Sequence, residues 1–98
     1  MLTLTERAAA TIRTLTSQPG IPDDTGLRMS VQDSDAGTLA LSLEGPQPGD
    51  EVIEDGGARV FVEHNAAEIV QDSELDAEFD DQGRASFMLG TQAGPGGV

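Results

Sequence analysis

Few residues in this chain have the type and spacing for chemistry. His64 is the single histidine, Ser73 follows it, carboxylates are abundant, and cysteine is absent. A Ser–His–Asp set is formally available. However, nothing around Ser73 resembles a nucleophile elbow, and a lone His at the start of a short helix is ordinarily a solvated turn residue. Asp33-Ser34-Asp35-Ala36-Gly37 opens like a calcium loop. Its fifth position is Gly rather than an oxygen ligand, and although Glu44 falls twelfth, the sixth-position Gly is missing, so turn chemistry explains it better. Gly94-Pro95-Gly96-Gly97 lacks the Lys-Ser/Thr and the helix that follow a phosphate loop, and reads as a flexible end.

The densest acidic run is Glu74, Asp76, Glu78 and Asp80, with Asp81 beside it. In a strand these four alternate residues share one face, which must be solvated, cation-bound or partnered because like charges repel. Glu74, Asp76, Glu78 and Asp80 are therefore the candidate surface for a basic protein partner. Acid–base catalysis by a carboxylate pair needs contrasting environments inside a cleft, which an open strand face does not offer. No catalytic residue, cofactor or metal ligand is assigned, and the expectation is a non-enzymatic protein. A second expectation, from a different class, is carboxylate-based binding of Ca²⁺, Mg²⁺ or Mn²⁺.

Composition narrows the field further. The 98 residues carry 18 acidic and 5 basic side chains, all five being Arg, for a net charge of -13. That charge argues against nucleic-acid backbones and against anionic membrane surfaces. It also opposes self-association, so a monomer or weak homodimer is expected. Without Cys there is no disulfide, thiol nucleophile, thiolate zinc site or thiolate-held cluster. Met1-Leu2-Thr3-Leu4 has neither the basic region nor the apolar run of a secretory signal, and a cytoplasmic location is expected.

The elements that must position these residues follow from periodicity. Residues 5–17 read as a helix with Ala8, Ile12 and Leu15 on one face, capped by Thr5 (or by Thr3, as a box with Glu6) and stopped by Pro19-Gly20. Leu27, Met29 and Val31 alternate in one strand, and Leu39, Leu41 and Leu43 in the next, an antiparallel hairpin. Residues 51–54 and 58–62 form a second hairpin about Asp55-Gly56-Gly57. A short helix over 65–71 turns Ala66, Ile69 and Val70 inward. Leu75, Ala77 and Phe79 alternate in a strand that turns at Asp81-Gln82-Gly83 into a last strand from Arg84 to Leu89. The fold class is α+β, mostly β: an antiparallel domain with an N-terminal helix and one short helix. Residues 1–90 form one domain and 91–98 a flexible Gly/Pro tail. The expected core is Leu4, Ile12, Leu15, Leu27, Met29, Val31, Leu39, Leu41, Leu43, Val52, Val60, Val62, Ile69, Leu75, Phe79, Phe87 and Leu89.

The order of elements and several strings resemble the HesB/IscA family of A-type iron–sulfur carrier proteins. The strings are Leu4-Thr5-Glu6-Arg7-Ala8-Ala9, Gly26-Leu27-Arg28-Met29-Ser30-Val31, Leu41-Ser42-Leu43-Glu44, Pro46-Gln47-Pro48-Gly49-Asp50-Glu51-Val52, Arg59-Val60-Phe61-Val62-Glu63, Ser73-Glu74-Leu75-Asp76 and Ala85-Ser86-Phe87-Met88-Leu89. The resemblance implies a compact HesB-like β domain, usually self-associating, with a tie to iron–sulfur cluster biogenesis. It also marks departures. The family's function rests on three cysteines; the first falls at Ala36, and the Cys-Gly-Cys tail is replaced by Gly94-Pro95-Gly96-Gly97-Val98. Ala77 replaces the family's aromatic, and Asp72 its Gly. The resemblance and its departures together imply a cysteine-less member, an interaction or accessory module unable to carry a cluster by itself.

Overall fold

A two-residue strand, β1 (Thr3–Leu4), leads into helix α1 (Glu6–Thr16) in the computed structural model, which describes residues 2–33 and 38–91. Thr5 caps the helix from an extended conformation, its Oγ1 accepting the Ala8 N–H at 3.0 Å. Ala8 and Ile12 are fully buried and Leu15 half-buried, on the expected stripe. The threonines that lower helix propensity turn their hydroxyls back along the helix. Thr14 donates to the Ala10 carbonyl at 2.9 Å and Thr16 to that of Ile12 at 3.0 Å.

Strands β2 (Gly26–Asp33), β3 (Thr38–Glu44), β4 (Glu51–Asp55) and β5 (Ala58–Val62) form a four-stranded sheet in the order β3-β2-β5-β4. Helix α2 (His64–Val70) follows. Strands β6 (Ser73–Phe79) and β7 (Ala85–Thr91) then join β1 in a three-stranded sheet of order β1-β6-β7. The hairpins β2–β3, β4–β5 and β6–β7 are antiparallel, as alternation and turn residues predict. Gly56 and Gly57 supply the tight β4–β5 turn with φ of +59° and +88°. The pairings β1–β6 and β2–β5 are parallel, so both sheets are mixed. Alternation assigns a strand's faces but not its direction, and a two-residue strand such as β1 leaves no periodicity to detect.

The core lies between the two sheets, with α1 packed on β5 and β6 and α2 on β2. Of the expected core, Ile12, Leu27, Met29, Val60, Val62 and Leu75 are buried, while Leu4, Leu15, Val31, Leu39 and Phe87 are half-buried. Leu41, Leu43, Val52, Ile69, Phe79 and Leu89 are exposed, correcting that expectation. Leu41, Leu43 and Leu89 occupy inward-facing rows of β3 and β7, but these are the last strands of their sheets and nothing covers them fully. On β4 the register puts Ile53, paired with Val60, in the core and turns Val52 outward. Ala66 and Val70 bury one side of α2, leaving Ile69 on the other. Leu2, Ala9, Ala58, Phe61 and Ala77 complete the buried apolar set among the described residues.

The loop between β3 and β4 is fastened by a fork of hydrogen bonds. Arg28 Nε and Nη2 donate to Asp50 Oδ2 and Oδ1 at 2.9 and 3.0 Å, and Asp50 also accepts the Gln47 N–H. The Asp50 side chain is 2% exposed, and the Arg28 hydrogen bonds hold its carboxyl below the usual range despite the opposing effect of burial. Beside it, the ring of Phe61 lies so close over Gly26 that a Cβ there would be 2.7 Å from Cε2 and 2.6 Å from the Arg59 carbonyl. The turn 34–37, with Ala36, and the tail 92–98 lie outside the described residues. Among the described residues no helix is long and apolar enough to cross a membrane.

Candidate docking surface

The β6–β7 register decides which acidic side chains stand together. Leu75 and Ala77 point into the core, so Glu74, Asp76 and Glu78 face outward, opposite Gly90, Met88 and Ser86 of β7. Three of the four candidate residues therefore share a row, as period-two alternation predicts. The fourth, Asp80, lies past the end of β6. Its Oδ1 accepts the Gln82 and Arg84 N–H groups at 2.8 and 2.9 Å, and its Oδ2 pairs with Arg84 Nε at 3.0 Å. Chiefly the backbone hydrogen bond from Arg84 lowers its pKa, so Asp80 serves the turn into β7.

Asp76 is also engaged. Arg7, in the first turn of α1, presents Nε at 3.3 Å from Oδ1 and Nη2 against Oδ2. The Thr5 hydroxyl donates to Oδ1 at 2.7 Å while its oxygen caps α1. The Arg7 hydrogen bonds, followed by that from Thr5, bring the Asp76 carboxyl down to about 2. Arg7 Nη1 reaches Glu78 Oε2 at 3.5 Å. Arg7 thus offsets, from within the chain, one of the three negative charges of the row. No local signal joins positions 7 and 76; the parallel β1–β6 pairing, with Leu4 beside Leu75, brings them together. Met88, 42% exposed and opposite Asp76, adds an apolar centre to the face. Glu74 is half-buried beside Thr3 of β1.

His64 opens α2 and is exposed, beside a cleft of about 370 Å³ bordered by Leu2, Glu51, Val62, Glu68 and Val70. Ser73 opens β6 at the far end of the same helix–strand connection. Among the described residues no group of three or more His, Asp or Glu side chains is arranged to hold a metal ion.

No protein-family model matches the chain, and no curated protein does. Solved structures do. Escherichia coli SufA, involved in biosynthesis of iron–sulfur clusters, superposes with a TM-score of 0.69 at 27% identity, over 92% of this chain and 84% of that one. IscA with the [2Fe-2S] cluster gives 0.63 at 20% identity, over 93% and 85%. The solution structure of an Aquifex aeolicus protein gives 0.71 at 22% identity, over 93% and 91%. The last two are likenesses of fold. Together with the element order, the matching strings and the absence of Cys, the three structures show the chain to be a cysteine-less protein of the SufA/IscA-like, HesB-like α+β fold.

Proposed function

We propose that this protein is a non-enzymatic accessory module of iron–sulfur cluster biogenesis, one that engages a protein partner and carries no cluster by itself. The observation that carries the reading is the donor set: a carrier fold with no cysteine and one histidine. Clusters are held chiefly by thiolates, and even Rieske centres keep two Cys beside two His. Carboxylates, the donors in surplus here, are hard oxygen ligands and match a sulfide-bridged cluster poorly. What the fold retains without cysteines is a surface. The outward row Glu74, Asp76 and Glu78 around Met88 supports docking of a basic partner, with the net charge of -13 accelerating encounter.

Pull-down from the native host with mass spectrometry tests the reading. The expected result is capture of an iron–sulfur assembly protein, with recovery lost in the double variant Glu74→Lys, Glu78→Lys. Asp76 is left intact because it fastens α1. Unchanged recovery in the folded double variant removes this face from the interaction, and a capture set without any iron–sulfur protein removes the pathway.

A further inference from the structure

We infer that the groove between α1 and the outer edge of β6 receives an extended basic segment of the protein partner, anchored by one large apolar side chain. The inference rests on the docking role proposed above and gives that partner its chemistry. The groove, about 260 Å³, is lined by Arg7, Ala10 and Thr14 of α1 and by Ala77, Glu78 and Phe79 of β6. The helix wall follows from spacing, since positions 7, 10 and 14 lie three and four apart on one face. Ala10 and Thr14 are exposed and small, and the Thr14 hydroxyl is engaged with the Ala10 carbonyl, so this wall is open. Across from it the core-facing row of β6 surfaces at its end: Leu75 and Ala77 are buried, while Phe79 is 41% exposed. An apolar cavity of roughly 150 Å³ accepts benzene, so the groove has room for one aromatic side chain and the peptide group that carries it.

The strand edge sets the segment's form. The β6–β7 ladder bonds the even-numbered positions of β6, as the Asp80 N–H on the Arg84 carbonyl at 2.8 Å shows just past its end. The odd-numbered peptide groups therefore point away from β7. The Leu75 carbonyl accepts the Thr5 N–H at 3.0 Å, but β1 stops at Leu4, opposite Leu75. Beyond it the Ala77 N–H turns to the carboxylate of its own neighbour Asp76 at 2.8 Å, and the Ala77 carbonyl and Phe79 N–H continue this edge along the groove. An extended segment takes up such groups as an added strand. Charge sets its composition. Arg7 is committed to Asp76 and reaches Glu78 only at 3.5 Å, so the Glu78 carboxylate, 56% exposed, is open to a second cation on the rim. A second copy of this chain does not supply one. It has no Lys, and its Arg7, Arg13, Arg28, Arg59 and Arg84 are engaged by its own Asp76, Gly56, Asp50, Glu54 and Asp80. Residues 92–98 carry no charged side chain and follow Thr91, which pairs with Ser73 at the other end of β6. The occupant is therefore a different, basic protein.

NMR titration of the full chain with the peptide acetyl-Lys-Thr-Lys-Phe-Lys-Thr-Lys-amide tests this. The expected Kd is about 0.1–1 mM, with amide shifts centred on Arg7, Ala10, Thr14, Ala77, Glu78 and Phe79 and the Phe79 amide proton moving downfield. Replacing the peptide's Phe by Gly should weaken binding about tenfold. Ala10→Leu, at an exposed helix position, fills the groove and should weaken the Phe peptide about tenfold, with folding checked by circular dichroism. Thr14→Leu repeats the test from the same wall. Glu78→Gln should weaken binding about threefold. No binding at about 1 mM, a Gly peptide that binds like the Phe peptide, folded Ala10→Leu and Thr14→Leu chains that bind like wild type, or an unmoved Phe79 amide overturns the groove. If peptide binding in that last group of outcomes is still lost in Glu74→Lys, Glu78→Lys, the groove falls while the acidic row stands as a docking face. Binding that ignores Glu78→Gln, or equal binding of a peptide with Glu for every Lys, overturns the basic class of partner.

Discussion

Arg7 on α1 and Asp76 on β6, 69 positions apart, meet through two guanidinium nitrogens, with Nε 3.3 Å from Oδ1 and Nη2 on Oδ2. The pair joins the first helix to the acidic row, and folding stabilises the charged carboxylate, moving its pKa from 3.8 to about 2. A depressed carboxylate pKa contributes stability that is complete above the unfolded value, about pH 4, and fades as pH falls through about 2. Asp76→Asn should therefore flatten the loss of stability between about pH 4 and about pH 2. Denaturant midpoints of both chains across that window, with an NMR titration of the Asp76 carboxyl, check this. A carboxyl titrating near the free value, or equal slopes for the two chains, would contradict it.

The contact also shows what a linear reading recovers. Alternation put Glu74, Asp76 and Glu78 on one face correctly, because strand period depends only on backbone geometry. It could not place Arg7 beside them, since that proximity depends on the parallel β1–β6 pairing and β1 is only two residues long. Val52 and Ile53 show a second limit. Adjacent apolar residues in a short charged strand fit either face, and only the Ile53–Val60 register decides between them. Val60, Phe61 and Val62 are all buried, so this inner strand shows a continuous apolar run rather than alternation. Leu41 and Leu89 show a third. Their period gives the face they point to, and not whether a neighbour covers it.

Gly26 should tolerate no side chain. A Cβ would lie 2.6 Å from the Arg59 carbonyl oxygen, which belongs to the backbone and cannot swing aside. Gly26→Ala should cost about 1–3 kcal/mol through overpacking. Gly90, with open space where a Cβ would stand, is the control, and Gly90→Ala should stay within about 0.5 kcal/mol. Urea denaturation of the two variants decides it; equal midpoints would show that the Gly26–Phe61 approach is not tight.

Asp50→Ala should be the most destabilising change in the β3–β4 loop. It leaves the Arg28 guanidinium, 16% exposed, without its bidentate partner and frees the Gln47 N–H. Breaking a buried pair from one side costs about 3 kcal/mol. The double variant Arg28→Met, Asp50→Ala should recover part of that loss, because the stranded charge is gone. Thermal melts of the single and double variants measure it. A single variant within about 0.5 kcal/mol of wild type would show that the fork does not hold the loop.

Anaerobic reconstitution with ferrous iron and sulfide bears most directly on a carrier fold that has lost its thiolates. With no Cys and a single His to offer, the isolated chain should emerge from desalting without stoichiometric sulfide and without a charge-transfer band at about 400 nm. Loosely held ferrous iron is expected on so acidic a surface and does not count as a cluster. A band that survives desalting with matching iron and sulfide on the pure chain would contradict the accessory role and restore cluster carriage as the function.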